Sequence, residues 1–516
     1  GGLIQSIWIF SGIALFVLLI ACINFTNLST ATATTRAKEV GMRKVVGARK
    51  SDLVWQFIGE SLMISFFSLA IAVVLLALFI PAFNHLVGKQ LSLSYLSKPT
   101  VLFGFLGIAL MTGILAGMYP ALYLSSFPPG RILRGLMRTN IRSSLRKILV
   151  VCQFSLSIAL MICTLVVFKQ LGFMMHTDLG FERENLVVLR MNEKMEEQYG
   201  ALKSDLLQSP QIRRATKSLQ GPWNIGSTVG ALDWDGKPPG ESFSMFWDYV
   251  DFDYYDTFKL EITEGRAFSQ DYATDREEAY IVNQEAAKLM GMDSPVGERL
   301  SVFREEGKII GVVKNFHFQP LYHEIKPFIF MLRPDNSGSW AFIRIEPGNT
   351  SETLDYIRNT VSKFAPDSPA DPIFFNDILR NSIYASEQQT GQVAGYFASL
   401  AILISCLGLF GLAAFMAERR TKEIGIRKVV GASVKEVVFM LSRDFSKWVL
   451  LSNVFAWPVA YYAMRKVLER YAFRVEIGLE LFILPGLAAF IIALLTVSYQ
   501  TLKAARSNPT DSLRYE

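Results

Sequence analysis

Residues Arg36–Ala48 read RAKEVGMRKVVGA, and Arg420–Ala432, 384 residues further on, read RTKEIGIRKVVGA, with ten of thirteen positions identical. The three differences, Ala37/Thr421, Val40/Ile424 and Met42/Ile426, are mild. Each copy follows directly on a long apolar run and is rich in Lys and Arg. A repeat of this kind points to a duplicated membrane module that presents the same basic surface twice on one side.

Seven apolar stretches are long enough to cross a bilayer, which takes about 17 to 25 residues. They run Ile7–Leu28, Leu62–Phe83, Val101–Leu124, Ile148–Phe168, Val393–Met416, Trp448–Met464 and Leu481–Tyr499. The sixth is the weakest, because it is short and Pro458 interrupts it. Between the fourth and fifth lies a polar region, Lys169–Gly391, with 23 Lys+Arg and 34 Asp+Glu, whereas the rest of the chain carries 29 and 12. The net charge of +6 therefore hides a basic membrane part and an acidic globular domain.

The positive-inside rule orients these parts. The loops after the first, third and fifth spans carry Arg36 to Lys50, Arg131 to Lys147 and Arg419 to Lys447, the second of them without an acid. They are expected on the cytoplasmic side of the membrane, as is the C-terminus. The loop Pro81–Pro99, with only Lys89 and Lys98, and the acidic domain are expected outside. Short basic loops beside spans are ordinary topology signals, so nucleic acid is not the expected partner. Cys22, Cys152, Cys163 and Cys406 all fall in spans, and the acidic domain has no cysteine to staple it. At over 200 residues it is large enough to build a core without one.

The duplication extends beyond the repeat. Asp52 matches Glu436 and Glu60 matches Asp444 at the same offset, and each copy is followed by two more spans. Pro129, Leu133 and Arg134 after the third span match Pro509, Leu513 and Arg514 after the seventh. The expected organisation is a three-span unit over 1–147, a fourth span over 148–168, an outer domain over 169–391 and a second three-span unit over 392–516. The chain opens Gly-Gly with a span almost at once, and symmetry leads us to expect a leading span and outer domain ahead of it. The fold class is a polytopic α-helical membrane protein with a mixed α+β outer domain. Strands are expected at Asn185–Met191, Glu277–Val282, Lys308–Val313, Phe328–Leu332 and Trp340–Ile345, and helices at Glu193–Leu207, Asn283–Met290 and Ser351–Phe364.

Within each copy of the repeat, Glu39 and Arg43, and likewise Glu423 and Arg427, are spaced i,i+4 in the favourable order. Gly47 and Gly431 suit the left-handed position that stops a helix. Ser433-Val-Lys-Glu436 is a capping box for the next helix. The first copy has Arg49 where Ser433 stands, leaving Ser51 as the substitute cap. The expected result is a helix, a glycine turn and a second helix re-entering the membrane. Charge sign alone would not preserve Gly41/Gly425 and Gly47/Gly431, so the surface reads as a docking site for a partner.

Other constellations are poor. His317 and His323 flank Pro320 at a spacing unsuited to a shared metal, and Asp251, Asp253 and Asp256 lack an EF-hand pattern. No metal site is expected. No G-x-S-x-G occurs, and no G-x-x-x-x-G-K-[ST], so neither a serine nucleophile nor P-loop ATP binding is expected. The spans are almost free of charge, unlike those of ion-coupled transporters, so energy must come from elsewhere.

The K-E-(I/V)-G-(I/M)-R-K-V-V-G-A phrase resembles the signature of the FtsX/MacB-type ABC transporter permeases, and Ser507-Asn-Pro-Thr-Asp-Ser-Leu-Arg514 resembles that family's usual ending. Glu264-Gly-Arg-Ala-Phe268, Ile281-Val-Asn283 and Ile309–Phe316 are similar to phrases of the MacB-like extracytoplasmic core domain. The subtype with two fused FtsX-like halves fits best. The resemblance implies a permease that is not itself an enzyme and has no cofactor of its own, with ATP bound by a cytoplasmic ABC ATPase dimer. Glu39, Gly41, Arg43, Lys44 and Gly47, with Glu423, Gly425, Arg427, Lys428 and Gly431, would form the ATPase-coupling surface. It further implies export or extraction of an amphiphilic substrate, or force transmission to the outer domain, with membrane lipid and an extracytoplasmic or outer-membrane protein as further partners. The alternative is a non-transporting sensor or regulator of peptide or cell-wall signals.

Overall fold

The computed structural model describes residues 2–87, 92–125, 140–333, 339–366, 371–419, 424, 426–427 and 430–506. Among the described residues seven long helices make up the membrane part: α1 Gly2–Val45, α2 Lys50–Val87, α3 Pro99–Ser125, α4 Asn140–His176, α5 Ala385–Arg419, α6 Val434–Leu468 and α7 Glu480–Arg506. Six of them are long and apolar enough to span a bilayer. The exception is α6, whose charge-free stretch between Lys447 and Arg465 is diluted by Ser452, Asn453, Tyr461 and Tyr462. Pro458 does not interrupt this helix, which runs through it, and α2 likewise runs through Pro81 to Val87.

The chain divides into two compact units, one of 1–168, 389–467 and 476–516, the other of 169–388 and 468–475. In the first unit the helices meet through small and polar residues, as helices surrounded by lipid tend to. Gly113 and Gly117 of α3 sit against Leu62 and Ser61 of α2, and Ser65 Oγ donates to the Ala109 carbonyl at 2.6 Å. Ser157 of α4 and Ser405 of α5, both fully buried, share a hydrogen bond of 2.9 Å. Asn24 Nδ2 of α1 donates to the Ile404 carbonyl of α5 at 2.7 Å.

The second unit is built on a twelve-stranded mixed sheet. Its strands are β1 Leu186–Arg190, β2 Ile212–Ser218, β3 Thr228–Val229, β4 Leu232–Trp234, β5 Met245–Val250, β6 Ile262–Gly265, β7 Ala279–Asn283, β8 Arg299–Val302, β9 Glu305–Val313, β10 Phe328–Leu332, β11 Trp340–Ile345 and β12 Ile373–Phe374. The main order is β12-β1-β11-β2-β5-β10-β7-β9-β8-β4, with β3 on β5 and β6 on β9. Pairs β5–β10 and β7–β9 are parallel and the others antiparallel.

Successive residues of the central strands go to opposite faces, and both faces are covered, which is why these strands are continuous apolar runs. Phe328, Phe330 and Leu332 join Phe342, Phe316 and Tyr254 on one face, whereas Ile329 and Met331 join Val282 and Ile309 on the other. At the far end of that other face, Val187, Leu189 and Ile343 pack under helices 199–206 and 350–364. The segment 468–475, which follows α6, belongs to this body. The Gln170 amide uses both of its polar atoms: Nε2 donates to the Phe473 carbonyl at 3.0 Å, and Oε1 accepts from Val475 N at 2.9 Å. Phe473 also stacks edge-on against His317, 4.6 Å between ring centres.

Asp248 lies fully buried in β5, where its Oδ1 accepts from Gln220 N at 3.0 Å. Desolvation pushes its carboxyl well above the usual range, against the weaker opposing pull of its hydrogen bonds. A folded-state value above the unfolded one favours the domain at low pH, and that advantage is lost as pH rises from the unfolded value, near 4, through the folded one. Asp248→Asn should therefore leave stability unchanged or raise it at pH 8, and flatten its pH dependence. Urea unfolding at pH 5 and pH 8 checks both.

Candidate coupling loops

The first copy of the repeat is the end of α1, a turn and the start of α2. Helix α1 stops in the hydrogen-bond pattern expected of a glycine cap. Ala48 N donates back to the Arg43 carbonyl at 3.0 Å and Gly47 N to Lys44 at 3.2 Å. The second copy repeats this, with Ala432 N on the Arg427 carbonyl at 2.9 Å. Gly47 has φ +105° and Gly431 φ +101°, a conformation that a side chain resists. The two turns are thus the same turn, built twice.

The next helix starts differently in each copy. In the second, Ser433 and Glu436 form the reciprocal capping box: Ser433 N donates to Glu436 Oε2 at 2.9 Å, and Glu436 N donates to Ser433 Oγ at 3.3 Å. In the first, Ser51 does not serve as the cap. Asp52, the match of Glu436, accepts from Arg49 N at 3.1 Å, while Ser51 Oγ only donates to Asp52 at 3.3 Å. Arg49 lacks the oxygen that would complete the box. Ser433→Ala should cost about 1 kcal/mol of local stability, read as faster amide hydrogen exchange over 434–440 with no change in the first copy.

Glu39 and Arg43 form the expected pair at 2.7 Å, and both stay about half exposed. Arg43 also donates to Gln56 Oε1 at 2.7 Å, and Gln56 Nε2 to Glu60 Oε1 at 3.2 Å. These four side chains line a polar pocket of about 240 Å³ over Val40, Leu53 and Phe57. At the matching place in the second copy, Arg427 lies on the sulfur of Met440, and Ile424 packs on Val437. Lys44 plays a different part from its neighbours. Its Nζ donates to the carbonyl of Ser125 at 2.6 Å, tying the turn to the end of α3. Burial, with Lys50 nearby, draws its pKa below the usual lysine range. Gly41 lies on α1. Glu423, Gly425 and Lys428, together with Pro129–Arg134 and Ser507–Arg514, lie outside the described residues.

Sequence reasoning missed Gln56 and Met440, which differ between the halves and so leave no mark on the repeat. It also missed the Ser125 carbonyl, which carries no side-chain signal. Asp251, Asp253 and Asp256 are committed to cations: Lys203 reaches Asp251 at 2.8 Å and also pairs with Asp253, and Arg214 reaches Asp256 at 2.9 Å. Among the described residues no group of three His, Cys, Asp or Glu is placed to hold a metal.

Residues 11–129 and 395–509 match the FtsX-like permease C-terminal family, and residues 151–356 match the MacB-like periplasmic core domain. The macrolide export ATP-binding/permease protein MacB of Bdellovibrio bacteriovorus is 33% identical over 125 residues, which cover 24% of this chain and 18% of that protein. An uncharacterized ABC transporter permease of Bacillus subtilis, YvrN, is 22% identical over 302 residues, covering 52% of this chain and 69% of that protein. The chain thus spans under a fifth of the MacB relative's length. The periplasmic region of MacB from Actinobacillus actinomycetemcomitans aligns over 40% of this chain and 94% of that structure, at 12% identity and a TM-score of 0.29. The two FtsX-like matches bracket the MacB-like one, and this order, a repeated membrane module on either side of a periplasmic-type core domain, makes the chain a member of the FtsX/MacB-type ABC transporter permeases.

Proposed function

We propose that this permease couples ATP hydrolysis by a separate cytoplasmic ABC ATPase dimer to extraction or export of an amphiphilic substrate, or to force transmission onto its outer domain. One observation carries the reading: the same glycine turn, leading into a helix, recurs 384 residues apart, with Arg43 and Arg427 at equivalent, exposed places. Two equivalent docking surfaces suit a dimeric partner, one subunit on each. The repeats and the C-terminus then face the cytoplasm of a bacterial plasma membrane, by the positive-inside rule.

Several features support the mechanical half. The turn of the first copy is locked to α3 through Lys44, so a push on it reaches two helices. In the second half, α6 leads straight into 468–475, a segment built into the outer body. Movement of α6 is therefore delivered to the sheet domain through covalent chain. Neither substrate transport nor ATP binding is required of this chain's own side chains, and an extracytoplasmic or outer-membrane partner would complete the path outward.

The test is co-purification of a P-loop ATPase from detergent-solubilised membranes. Exchanging the charges as Glu39→Arg with Arg43→Glu keeps a helix pair but inverts what a partner meets. Glu423→Arg with Arg427→Glu does the same for the second copy. Each exchange should lower ATPase recovery roughly tenfold, the loss of one dominant contact cluster. Full recovery with both exchanges present in folded protein would refute the assignment of the loops.

A further inference from the structure

We propose that the groove between α4 and α6 binds one acyl chain of an anionic bilayer phospholipid, with the headgroup held at Lys147. The groove encloses about 730 Å³ and is lined by Val151, Cys152 and Leu156 of α4 and by Trp448, Phe455 and Val459 of α6, with Lys147 at one end. Its size is that of an ordinary ligand site.

The floor excludes a polar occupant. Its hydroxyls are spent between the helices: Ser155 Oγ donates to the Ser452 carbonyl at 3.0 Å, and Ser452 Oγ donates to the carbonyls of Trp448 at 2.8 Å and Val151 at 3.1 Å. What remains is aliphatic and aromatic, and Phe455 and Val459 are more than half exposed. An aqueous ligand would gain nothing there, whereas a hydrocarbon chain fills it without losing hydrogen bonds.

The mouth supplies the sign of charge. Lys147 Nζ lies 5.1 Å from the ring centre of Trp448, in the arrangement of a cation over an aromatic face. Tryptophan and lysine together are the residues of the headgroup level. Lys447, next to Trp448 in the chain, is exposed, so two lysines stand at this end of the groove. A cluster of this kind selects anionic headgroups. Depth agrees: from Lys147 to Ala159 the helix rises about 18 Å at ~1.5 Å per residue, close to one leaflet of a hydrocarbon core about 30 Å thick. The site is separate from the coupling loops and does not depend on the ATPase reading.

Cys152 provides the readout, being exposed in the groove. The whole chain, with Cys22, Cys163 and Cys406 changed to serine, is stripped of lipid in dodecyl maltoside and titrated with phosphatidylglycerol or phosphatidylcholine. Phosphatidylglycerol should slow maleimide labelling of Cys152 about fivefold more than phosphatidylcholine does, the factor one basic contact supplies. Lys147→Glu should erase the difference. Native mass spectrometry of the unmutated protein should show phosphatidylglycerol adducts outlasting phosphatidylcholine adducts. Equal protection by the two lipids, or protection that Lys147→Glu leaves intact, overturns the site in favour of unselective lipid contact. A thiol already blocked in lipid-free detergent and crosslinkable to another protein chain overturns it in favour of a protein-covered face.

Discussion

Asn283→Ala is expected to remove about 3 kcal/mol from the outer domain, a large fraction of the roughly 5 to 15 kcal/mol that separates a folded domain from its unfolded chain. Asn283 is fully buried at the end of β7, where the chain turns into helix 284–290. Its Oδ1 accepts from Ala286 N at 2.9 Å, capping that helix, and from Phe328 N at 2.9 Å at the start of β10. Its Nδ2 donates to the Lys326 carbonyl at 2.8 Å. Losing the cap costs about 1 kcal/mol, and each backbone group orphaned in the core about 1 kcal/mol or more. Asn283→Asp keeps both acceptor contacts but turns an oxygen toward the Lys326 carbonyl, so it should recover only part of the loss. Urea unfolding and hydrogen exchange over 284–290 in the whole chain measure this. A loss under about 1 kcal/mol would mean that water replaces the side chain, and that the amide is no pin.

The same residue shows what the sequence makes legible. Asn283 reads as a boundary between strand and helix because an amide before an alanine-rich segment is a cap signal. Phe328–Leu332 and Trp340–Ile345 read as strands because burial on both faces leaves them apolar throughout. Two strands that escape notice carry charge within their sequence. Ile212–Ser218 bears Arg213, Arg214 and Lys217, with Arg214 turned to Asp256 on the surface. Met245–Val250 bears Asp248, an acid that ordinarily argues against a buried strand, tolerated here because its carboxyl resists ionisation. The expected helix Glu193–Leu207 divides in two at Gln198, a break that composition does not announce.

In the membrane part the repeat makes the coupling turns legible down to the φ of their glycines, since identical residues demand identical geometry. Lys44 illustrates the limit. Its position in the repeat places it among surface residues, yet it reaches inward to a carbonyl of α3, and no pattern within the repeat encodes the distance to Ser125. The apolar pattern likewise gives the spans but not the helix faces, because an all-round apolar helix has no moment to read.

Gly408→Leu is expected to cost about 3 kcal/mol, the upper end of overpacking penalties. A Cβ at Gly408 would fall 1.4 Å from Asn24 Oδ1. That oxygen is buried with no hydrogen-bond partner among the described residues, and its amide nitrogen donates to the Ile404 carbonyl, so the side chain cannot swing aside freely. Residue 408 is also the repeat mate of residue 24, one offset of 384 away. A position that faces its own mate is what a two-fold relation between α1 and α5 requires at its axis. The contact has room for one amide, and the chain places it on α1 and leaves glycine on α5. Exchange tests this directly. Asn24→Gly with Gly408→Asn should restore stability to within about 1 kcal/mol, roughly the worth of one interhelical hydrogen bond in a membrane, with the new amide reaching the carbonyl of Ile20, the mate of Ile404. Gly408→Asn alone should be as damaging as Gly408→Leu, because two amides would then meet at one contact. Equilibrium unfolding in mixed dodecyl maltoside and dodecyl sulfate micelles reads all three proteins. If the exchange is no better than Gly408→Asn alone, the two halves are not related by an axis at this contact, and the glycine serves local packing only.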